Sequence, residues 1–278
     1  MSFFFDACAV EDLSDEQILK LADTLDLSGF SNLLQALKKN NSSPIKLRKA
    51  KFWSKLEVKF SRLQDLELRW QKLAEFDNQY FSQFDIIAGC DEAGRGPLAG
   101  PVVAAVVVLP KNYKLLGLND SKQLTAAQRN FFFEKIRNEA LDFGIGIVDN
   151  KTIDEINILR ATQRAAKIAF ASLKLKVECL LTDALKIPDL KVKQVPIIKG
   201  DCKSNCIAAA SILAKVTRDK IMEDLDKLYP AYNFKKNKGY GTAEHCAIIK
   251  KIGASDMHRK TFIAKLLNAE NLRLQLDF

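Results

Sequence analysis

Two adjacent carboxylates follow an apolar stretch of this sequence and lead directly into a Gly-Arg-Gly turn. Asp91 and Glu92 lie between residues 86–90 and 102–109, and both flanking stretches are rich in strand-forming residues. The pair therefore lies where a sheet would otherwise be free of charge. Two like charges about 4 Å apart repel by roughly 4 kcal/mol at an effective dielectric constant near 20. A compensating group must accompany them.

Two more carboxylates follow predicted strands further along the chain. Asp183 ends the apolar stretch that begins at Leu180, and Asp201 follows residues 195–198 just before a predicted helix. Ligands of open sheets bind at the carboxyl ends of the strands, so we expect all four carboxylates to converge there. Each one alone is an ordinary cap or turn residue, but four together must shift their pKa values or bind cations. Oxygen ligands without histidine or thiolate favour Mg²⁺ or Mn²⁺.

The elements that position these side chains follow from the apolar periodicity. The pattern predicts strands at residues 86–90, 102–109, 143–148, 179–182 and 195–198. It predicts helices at about 126–140, 158–173 and 206–228. Consecutive strands followed by a helix–strand alternation indicate an α/β fold, with a mixed five-stranded sheet flanked by helices.

The first part of the chain is predicted to be helical throughout. We expect residues 1–84 to form a helical extension and residues 85–278 to form the catalytic domain with its C-terminal helices. Ser14 and Gln17 have capping-box spacing, and residues 40–44 break the pattern. A long helix follows, in which Leu56, Leu63 and Trp70 repeat every seven residues.

Charge is distributed unevenly along this extension. Residues 1–30 hold seven acidic side chains and one lysine, whereas residues 43–62 hold seven basic side chains and one glutamate. Two interpretations of the basic stretch from Lys46 to Arg62 stay open: it contacts phosphates, or it is the solvated face of a helix packed through its apolar stripe.

Composition restricts the possible functions further. The 43 basic residues exceed the 34 acidic ones, and this net charge of +9 favours a polyanionic partner. Six cysteines occur without a Cys-x-x-Cys pair and with only two histidines, so we expect free thiols and no zinc site. The longest apolar run, 101–110, is far shorter than the roughly 20 residues that cross a bilayer. No basic signal segment begins the chain, and we expect a cytoplasmic protein.

Residues 91–101, Asp-Glu-Ala-Gly-Arg-Gly-Pro-Leu-Ala-Gly-Pro, resemble the signature of bacterial ribonuclease HII. Further matching segments occur in the family's order at 119–122, 156–162, 199–203, 208–219, 239–242 and 258–260. The resemblance covers about residues 85–262. It implies a ribonuclease H-like fold and cleavage of the RNA strand of RNA–DNA hybrids, including a lone ribonucleotide inside duplex DNA.

The resemblance also implies roles for single residues. Carried over by position, the family's catalytic, metal-binding carboxylates are Asp91, Glu92, Asp183 and Asp201, the same four that the strand-end argument selects. They imply two divalent cations, Mg²⁺ or Mn²⁺. In the family, peptide groups matching Gly94, Arg95 and Gly96 bind the 2′-OH of the ribonucleotide, and the residue matching Tyr240 packs on the neighbouring deoxyribose.

Other polar residues of the matched segments are candidates for phosphate contacts: Lys122, Lys199, Lys203, Lys215, Arg218 and His258. Because a lysine is usually a solvated surface residue, we select only Ser121, Lys122 and Lys199 as substrate contacts. Asp219 also matches the family pattern, but it lies inside a predicted helix. An ion pair with Arg218 or Lys215 explains it, and we leave it out of the catalytic set.

Three alternatives were weighed against this interpretation. Ribonuclease HIII lacks the arginine between the glycines and carries a mixed α/β addition, whereas Arg95 is present here and residues 1–80 are predicted to be helical. A non-catalytic module that binds hybrids would be favoured by the loss of a carboxylate, and none is lost. A metal-free reaction would need an acid–base pair, but neither His245 nor His258 follows a predicted strand.

The sequence therefore predicts an endonuclease that works by two-metal-ion catalysis and cuts 5′ to the ribonucleotide. The expected products are a 3′-hydroxyl and a 5′-phosphate. The expected partners are RNA–DNA hybrids and ribonucleotide-containing duplex DNA, with the chain acting as a monomer. The terminal residues 274–278, Leu-Gln-Leu-Asp-Phe, leave open a contact with a replication clamp.

Overall fold

The structure, a computed structural model, describes residues 13–39, 48, 50–118 and 121–264. The described residues belong to two compact units. One contains the residues up to Lys72 together with Leu115–Gly117, and the other contains Leu73–Lys114 and the residues from Leu118 onward. The domain boundary predicted after residue 84 stays a prediction, and the predicted break at 40–44 lies outside the described residues.

The first unit is helical, as the sequence predicts. Its helices are α1 (Asp15–Thr24), α2 (Leu27–Lys39) and the first part of α3 (Ala50–Phe81). Ser14 begins α1 with the predicted capping box: its Oγ accepts from the Gln17 amide at 3.2 Å, and Gln17 Oε1 accepts from the Ser14 amide at 2.8 Å. Both donors would otherwise be unpaired at the helix start.

A small apolar core holds these three helices together. Leu56 of α3 is fully buried among residues of α1 and α2, and Leu63 packs at the edge of the same cluster. Two of the predicted basic residues bind the acidic first segment, because Arg48 pairs with Asp15 and Lys59 pairs with Asp23. Part of the positive charge is therefore neutralised within the unit. Lys46 and Lys49 lie outside the described residues.

The second unit is built on a mixed five-stranded sheet, which confirms the predicted fold class. The strand order is β3-β2-β1-β4-β5; β2 is antiparallel to both β1 and β3, while β4 is parallel to both β1 and β5. The strands are β1 (Ile87–Ala93), β2 (Val102–Val108), β3 (Asp142–Val148), β4 (Cys179–Asp183) and β5 (Lys193–Ile197).

Helices cover both faces of this sheet, so every residue of β2 is buried. Helix α6 packs on β2 and β3, and α7 packs on β1 and β2. The remaining helices are α4 (Ala126–Glu139), α5 (Asn150–Ile156), α6 (Ile158–Ala171), α7 (Asn205–Leu228), α8 (Phe234–Asn237) and α9 (Ala243–Ile252). Short 3₁₀ turns occur at Ser121–Gln123, Gly200–Cys202 and Pro230–Tyr232. Among the described residues, no helix combines the length and apolar character needed to cross a membrane.

Helix α7 begins directly above β1. A Cβ on Gly89 would lie 2.1 Å from the backbone carbonyl carbon of Cys206, so only glycine permits this approach. Buried Asp77, from the last part of α3, accepts from the amides of Asn205 and Cys206 at 2.9 and 3.4 Å. Burial raises the pKa of Asp77 to about 7 despite these hydrogen bonds. The start of α7 is thereby fixed on the sheet.

Three elements differ from the sequence-based expectation. Strand β1 continues to Ala93 because β2 pairs with it up to the Ala93–Val103 position, so Asp91 and Glu92 lie within the strand. Helices α5 and α9 were not predicted, and each begins at a side-chain cap, from Asp149 and Thr242 respectively. Five cysteines are free, as predicted, and Cys8 lies outside the described residues.

Candidate active site

Three of the four predicted carboxylates meet at one edge of the sheet. Asp91 lies near the end of β1, Asp183 ends β4, and Asp201 lies in the 3₁₀ turn that follows β5. Each offers a carboxylate oxygen within 4.8 Å of the other two. Because β1, β4 and β5 are parallel neighbours, their carboxyl ends meet at this edge.

Backbone contacts fix the loops after β4 and β5. The Gly200 amide donates to Asp183 Oδ1 at 2.7 Å, which ties the two loops together. Ala184 and Lys199 both have a left-handed backbone, with φ of 48° and 56°. Such conformations are uncommon for residues other than glycine and concentrate at functional sites.

Glu92, the fourth carboxylate, lies beside this cluster. It lines the same pocket, and its Oε1 accepts from Arg95 Nη1 at 3.1 Å. Its Oε2 is buried and has no hydrogen-bond partner in the described part of the chain. A buried acceptor without a donor is costly, so a cation or a substrate hydroxyl would stabilise this side chain.

Burial and mutual repulsion act on the carboxylates. Burial raises the pKa of Asp91 well above its ordinary value, the charges of Glu92 and Asp183 raise it further, and a hydrogen bond from Ser211 opposes them. Burial also raises the pKa of Glu92, against the opposing charge of Arg95. Full ionisation is therefore unfavourable without a compensating charge. An all-oxygen donor set of this kind fits a hard divalent cation such as Mg²⁺ or Mn²⁺.

The carboxylates open into a pocket of about 220 Å³. Six of the seven predicted substrate contacts line it: Gly94, Arg95, Gly96, Ser121, Lys122 and Tyr240. Lys199 does not line it, although it directly precedes the turn that carries Asp201.

The two glycines of the triplet have different surroundings. Gly94 has φ of 98°, and a Cβ there would lie 2.2 Å from Arg218 Nε. Gly96 has open space, since the nearest atom to a Cβ would be Tyr240 Cε1 at 3.9 Å. Gly94 is therefore required by packing, whereas the missing side chain of Gly96 leaves room beside Tyr240.

Helix α7 contributes pocket residues that the sequence analysis did not select. Ser211 bonds Asp91, and its Oγ lies 3.0 Å from the Oγ of buried Ser121. Lys215 lines the pocket and pairs with Asp219 at 2.6 Å, as the ion-pair interpretation of Asp219 expects. These residues recur every fourth position, a helical spacing that was available in the sequence.

Two proposed phosphate contacts are buried instead. Arg218 is 1% exposed and His258 is 2% exposed, so the phosphate interpretation is wrong for both. His258 Nε2 lies 3.0 Å from Nε2 of buried His245. Burial lowers the pKa of both rings, that of His258 to about 4. Buried between aromatic rings, this histidine pair packs the fold and offers no exposed acid–base pair.

Comparison with known proteins gives a consistent result. Residues 88–265 match the sequence profile of the family described as Ribonuclease HII. A relative named Ribonuclease HII from Caldanaerobacter subterraneus subsp. tengcongensis is 53% identical over 218 residues, which cover 78% of this chain and 87% of that protein. The Ribonuclease HII of Clostridioides difficile is 46% identical over 259 residues, covering 93% of this chain and all of that protein.

Solved structures show the same likeness. Ribonuclease H2 from Pyrococcus horikoshii OT3 aligns with a TM-score of 0.55 and 29% identity, over 63% of this chain and 93% of that one. The ribonuclease HII in a complex with PCNA from Archaeoglobus fulgidus aligns with a TM-score of 0.53 and 27% identity, over 63% and 94%. In the present chain, residues 274–278, where a clamp contact was left open, lie outside the described residues.

Proposed function

Since this chain belongs to the ribonuclease HII family, we propose that it hydrolyses the RNA strand of RNA–DNA hybrids and cuts 5′ to single ribonucleotides in duplex DNA. The observation that carries this proposal is the convergence of three carboxylates from neighbouring strand ends, with Glu92 in the same pocket as the Gly-Arg-Gly turn. The cluster supplies the ligands for the chemistry, and the turn supplies the means to recognise ribose.

The carboxylates act as the scaffold of the reaction. Asp91, Asp183 and Asp201 would hold divalent cations between their oxygens, and Glu92 would complete the set. When bound, two such cations lower the pKa of an attacking water and stabilise the charge on the leaving 3′ oxygen. Ser211 keeps Asp91 oriented through their hydrogen bond, and Arg95 does the same for Glu92. The substrate's own 2′-OH is then not the nucleophile.

The Gly-Arg-Gly turn recognises the sugar. Within the described residues, the backbone amides of Arg95 and Gly96 make no hydrogen bond, although both residues line the pocket. Two adjacent amide donors beside a cluster of carboxylates suit a ribose 2′-OH, which both accepts and donates. The half-exposed ring of Tyr240 lies beside Gly96 and offers an apolar surface for the next sugar.

Analysis of the products tests this proposal. A duplex with one ribonucleotide, labelled at the 5′ end of that strand, is cleaved with Mg²⁺ or Mn²⁺, and an all-DNA duplex serves as the matched control. We expect a cut on the 5′ side of the ribonucleotide, a 3′-hydroxyl on the labelled fragment and a 5′-phosphate on the other. A 2′,3′-cyclic phosphate, or equal cleavage of the all-DNA duplex, would contradict the proposal.

A further inference from the structure

Two arginines lie buried next to the proposed ribose-recognition turn without a carboxylate partner. Arg218 is 1% exposed and Arg259 is fully buried, and in the described part of the chain neither forms an ion pair. Buried charges are normally paired with opposite charges. Here the guanidinium N–H groups are directed instead at backbone carbonyl oxygens, and burial lowers the pKa of both groups. Such an arrangement is costly unless the loops that it holds serve a purpose.

Arg259 binds the inner side of the turn. Its Nη2 donates to the Gly94 carbonyl at 2.6 Å, and its Nη1 donates to the Arg95 carbonyl at 3.1 Å. Its Nε also donates to the Gly100 carbonyl, at 3.0 Å. A single side chain therefore fixes both ends of the loop that joins β1 to β2.

The geometry of the peptide bond carries this constraint to the outer side of the turn. In a trans peptide the N–H points opposite to the C=O of the same unit. The carbonyls of Gly94 and Arg95 point at Arg259, so the amides of Arg95 and Gly96 point away from it. These are the two amides that make no other hydrogen bond among the described residues. A carbonyl that accepts from a cation is also polarised, which strengthens the N–H of the same peptide as a donor.

Arg218 joins this loop to the loop that carries Tyr240. Its Nη2 donates to the Ala99 carbonyl at 3.1 Å, and its Nη1 donates to the Lys238 carbonyl at 3.0 Å. Its guanidinium carbon lies 5.8 Å from the centre of the Tyr240 ring. Between the same loops, the Leu98 amide donates to the Gly239 carbonyl at 2.8 Å. Arg218 thus sets the spacing between the amide donors and the tyrosine.

We propose that Arg259 and Arg218 are positioning residues for recognition of the ribonucleotide-to-deoxyribonucleotide junction. Arg259 aims the amides of Arg95 and Gly96 at the 2′-OH, and Arg218 holds Tyr240 at the distance of the next sugar. This inference rests on the proposed function, because it assigns a role only if the pocket recognises ribose. Lysine is no substitute at either position, because an ammonium lacks the planar arrangement of donors that reaches several carbonyls at once.

The test compares binding specificity in the full-length protein. Arg259→Lys and Arg218→Lys are measured beside Arg137→Lys, an exposed arginine of α4 outside the site. Dissociation constants are determined in Ca²⁺, taken as a condition in which cleavage does not proceed, for a duplex with one ribonucleotide and for the same duplex in DNA. The melting temperature and the Mn²⁺ affinity of each variant show whether the fold and the carboxylate cluster survive.

We expect Arg259→Lys to reduce the preference for the ribonucleotide duplex about tenfold or more, while binding to the DNA duplex and Mn²⁺ affinity change little. Arg218→Lys should reduce the ratio of kcat/KM between the single-ribonucleotide duplex and a uniform RNA–DNA hybrid, because the junction contact of Tyr240 is lost. Arg137→Lys should leave both ratios unchanged. Variants that melt earlier but keep both ratios would show that the arginines only stabilise the fold, and the inference would be wrong.

A second variant covers the possibility that Arg259→Lys does not fold. Arg259→Gln removes the buried charge and keeps a planar side chain with two N–H donors, so it should fold and regain part of the lost preference. If it folds with the full preference of the wild type, the inference fails. A wild-type protein that shows no preference for ribonucleotide over DNA would instead refute the proposed function, which keeps the two failures distinct.

Discussion

Asp91 is the residue where the opposing forces of the site are greatest. It is buried, it neighbours Glu92 in sequence, and its carboxylate approaches those of Asp183 and Asp201 to within 4.8 Å. At that distance two full charges repel by roughly 3 kcal/mol at an effective dielectric constant near 20. The same arrangement that favours cation binding therefore weakens the metal-free protein.

Replacing a cluster carboxylate should separate activity from stability. We expect Asp91→Asn or Asp201→Asn to lower kcat/KM about a hundredfold or more, because a cation ligand is lost. In excess chelator the same variants should melt no earlier than the wild type, since the substitution removes repulsion. Asp224→Asn, which alters an exposed carboxylate paired with Lys227, is the matched control and should change neither quantity. A cluster variant with wild-type activity would contradict this prediction.

The two glycines of the turn should respond differently to alanine. Gly96→Ala places a methyl group in the open space beside Tyr240, so we expect an unchanged melting temperature and a fall in kcat/KM of about tenfold on a single-ribonucleotide duplex. Gly94→Ala places its methyl group 2.2 Å from Arg218 Nε and should lower the melting temperature. Full activity of Gly96→Ala would show that the space beside Tyr240 does not receive the sugar.

At the residue scale, the sequence predicted the side chains that follow strands and missed those held by distant contacts. Asp183 and Asp201 were found because strand ends can be recognised from local periodicity. The role of Arg259 depends on carbonyl groups more than 150 positions away in the chain, and no local pattern reports them. Ser211 lies between these cases, since its fourfold spacing with Lys215 was visible but its neighbour Asp91 was not.

Among the secondary structure elements, α7 connects most parts of the site. It carries Ser211 and Lys215 into the pocket and Arg218 beneath the turn, and it packs on β1, which carries Asp91. Its first residues are held by Asp77, so a change at this cap acts on the whole helix. The predicted bounds of α7 were correct to within one residue, whereas its anchor in α3 was not foreseen.

The charge of Asp77 should make stability depend on pH. Its pKa rises from 3.8 to about 7 on folding, so the native state binds more protons than the unfolded state between those values. This stabilising contribution is complete below about pH 4 and is lost as the pH rises through 7. Relative to Asp77→Asn, whose Oδ1 still accepts from the Asn205 amide, the wild type should lose about 1.4 kcal/mol per pH unit between pH 5 and 7. Unfolding free energies measured across this range check the prediction, and parallel curves would contradict it.

For the whole molecule, the fold class and strand positions were predictable, while the connections between elements were not. Periodicity found all five strands, because buried strands of a sheet covered on both faces are continuous apolar runs. Helices α5 and α9 were missed because each is short and depends on a cap and on distant partners, such as the bond from Asn150 Nδ2 to the Asp256 carbonyl at 2.8 Å.

The basic face of α3 has an expected effect on nucleic-acid binding. Lys51, Lys55 and Arg62 are exposed and recur at intervals of four and seven residues, so they share one face of the helix. If they contact phosphates, replacing all three with Gln should flatten the slope of log K against log salt by about three units of roughly 0.9 each. Binding to an uncleavable hybrid over a salt series measures this slope. An unchanged slope would leave α3 with a purely structural role.

Arg48→Gln with Lys59→Gln is the matched control for this measurement. Both side chains already pair with the acidic segment, through Asp15 and Asp23. Their replacement should lower the melting temperature of the first unit and leave the salt slope unchanged. A large change of slope in this control would mean that the ion pairs give way to phosphates when nucleic acid binds.

The claim that the carboxylates act through divalent cations is tested most directly by cleavage of a duplex with one ribonucleotide, with and without Mg²⁺ or Mn²⁺. The wild type should cut this duplex when either ion is present, lose all cleavage in excess chelator and recover it when the ion is restored. Cleavage that continues unchanged in excess chelator would contradict the account, because the four carboxylates would then have no cation through which to act.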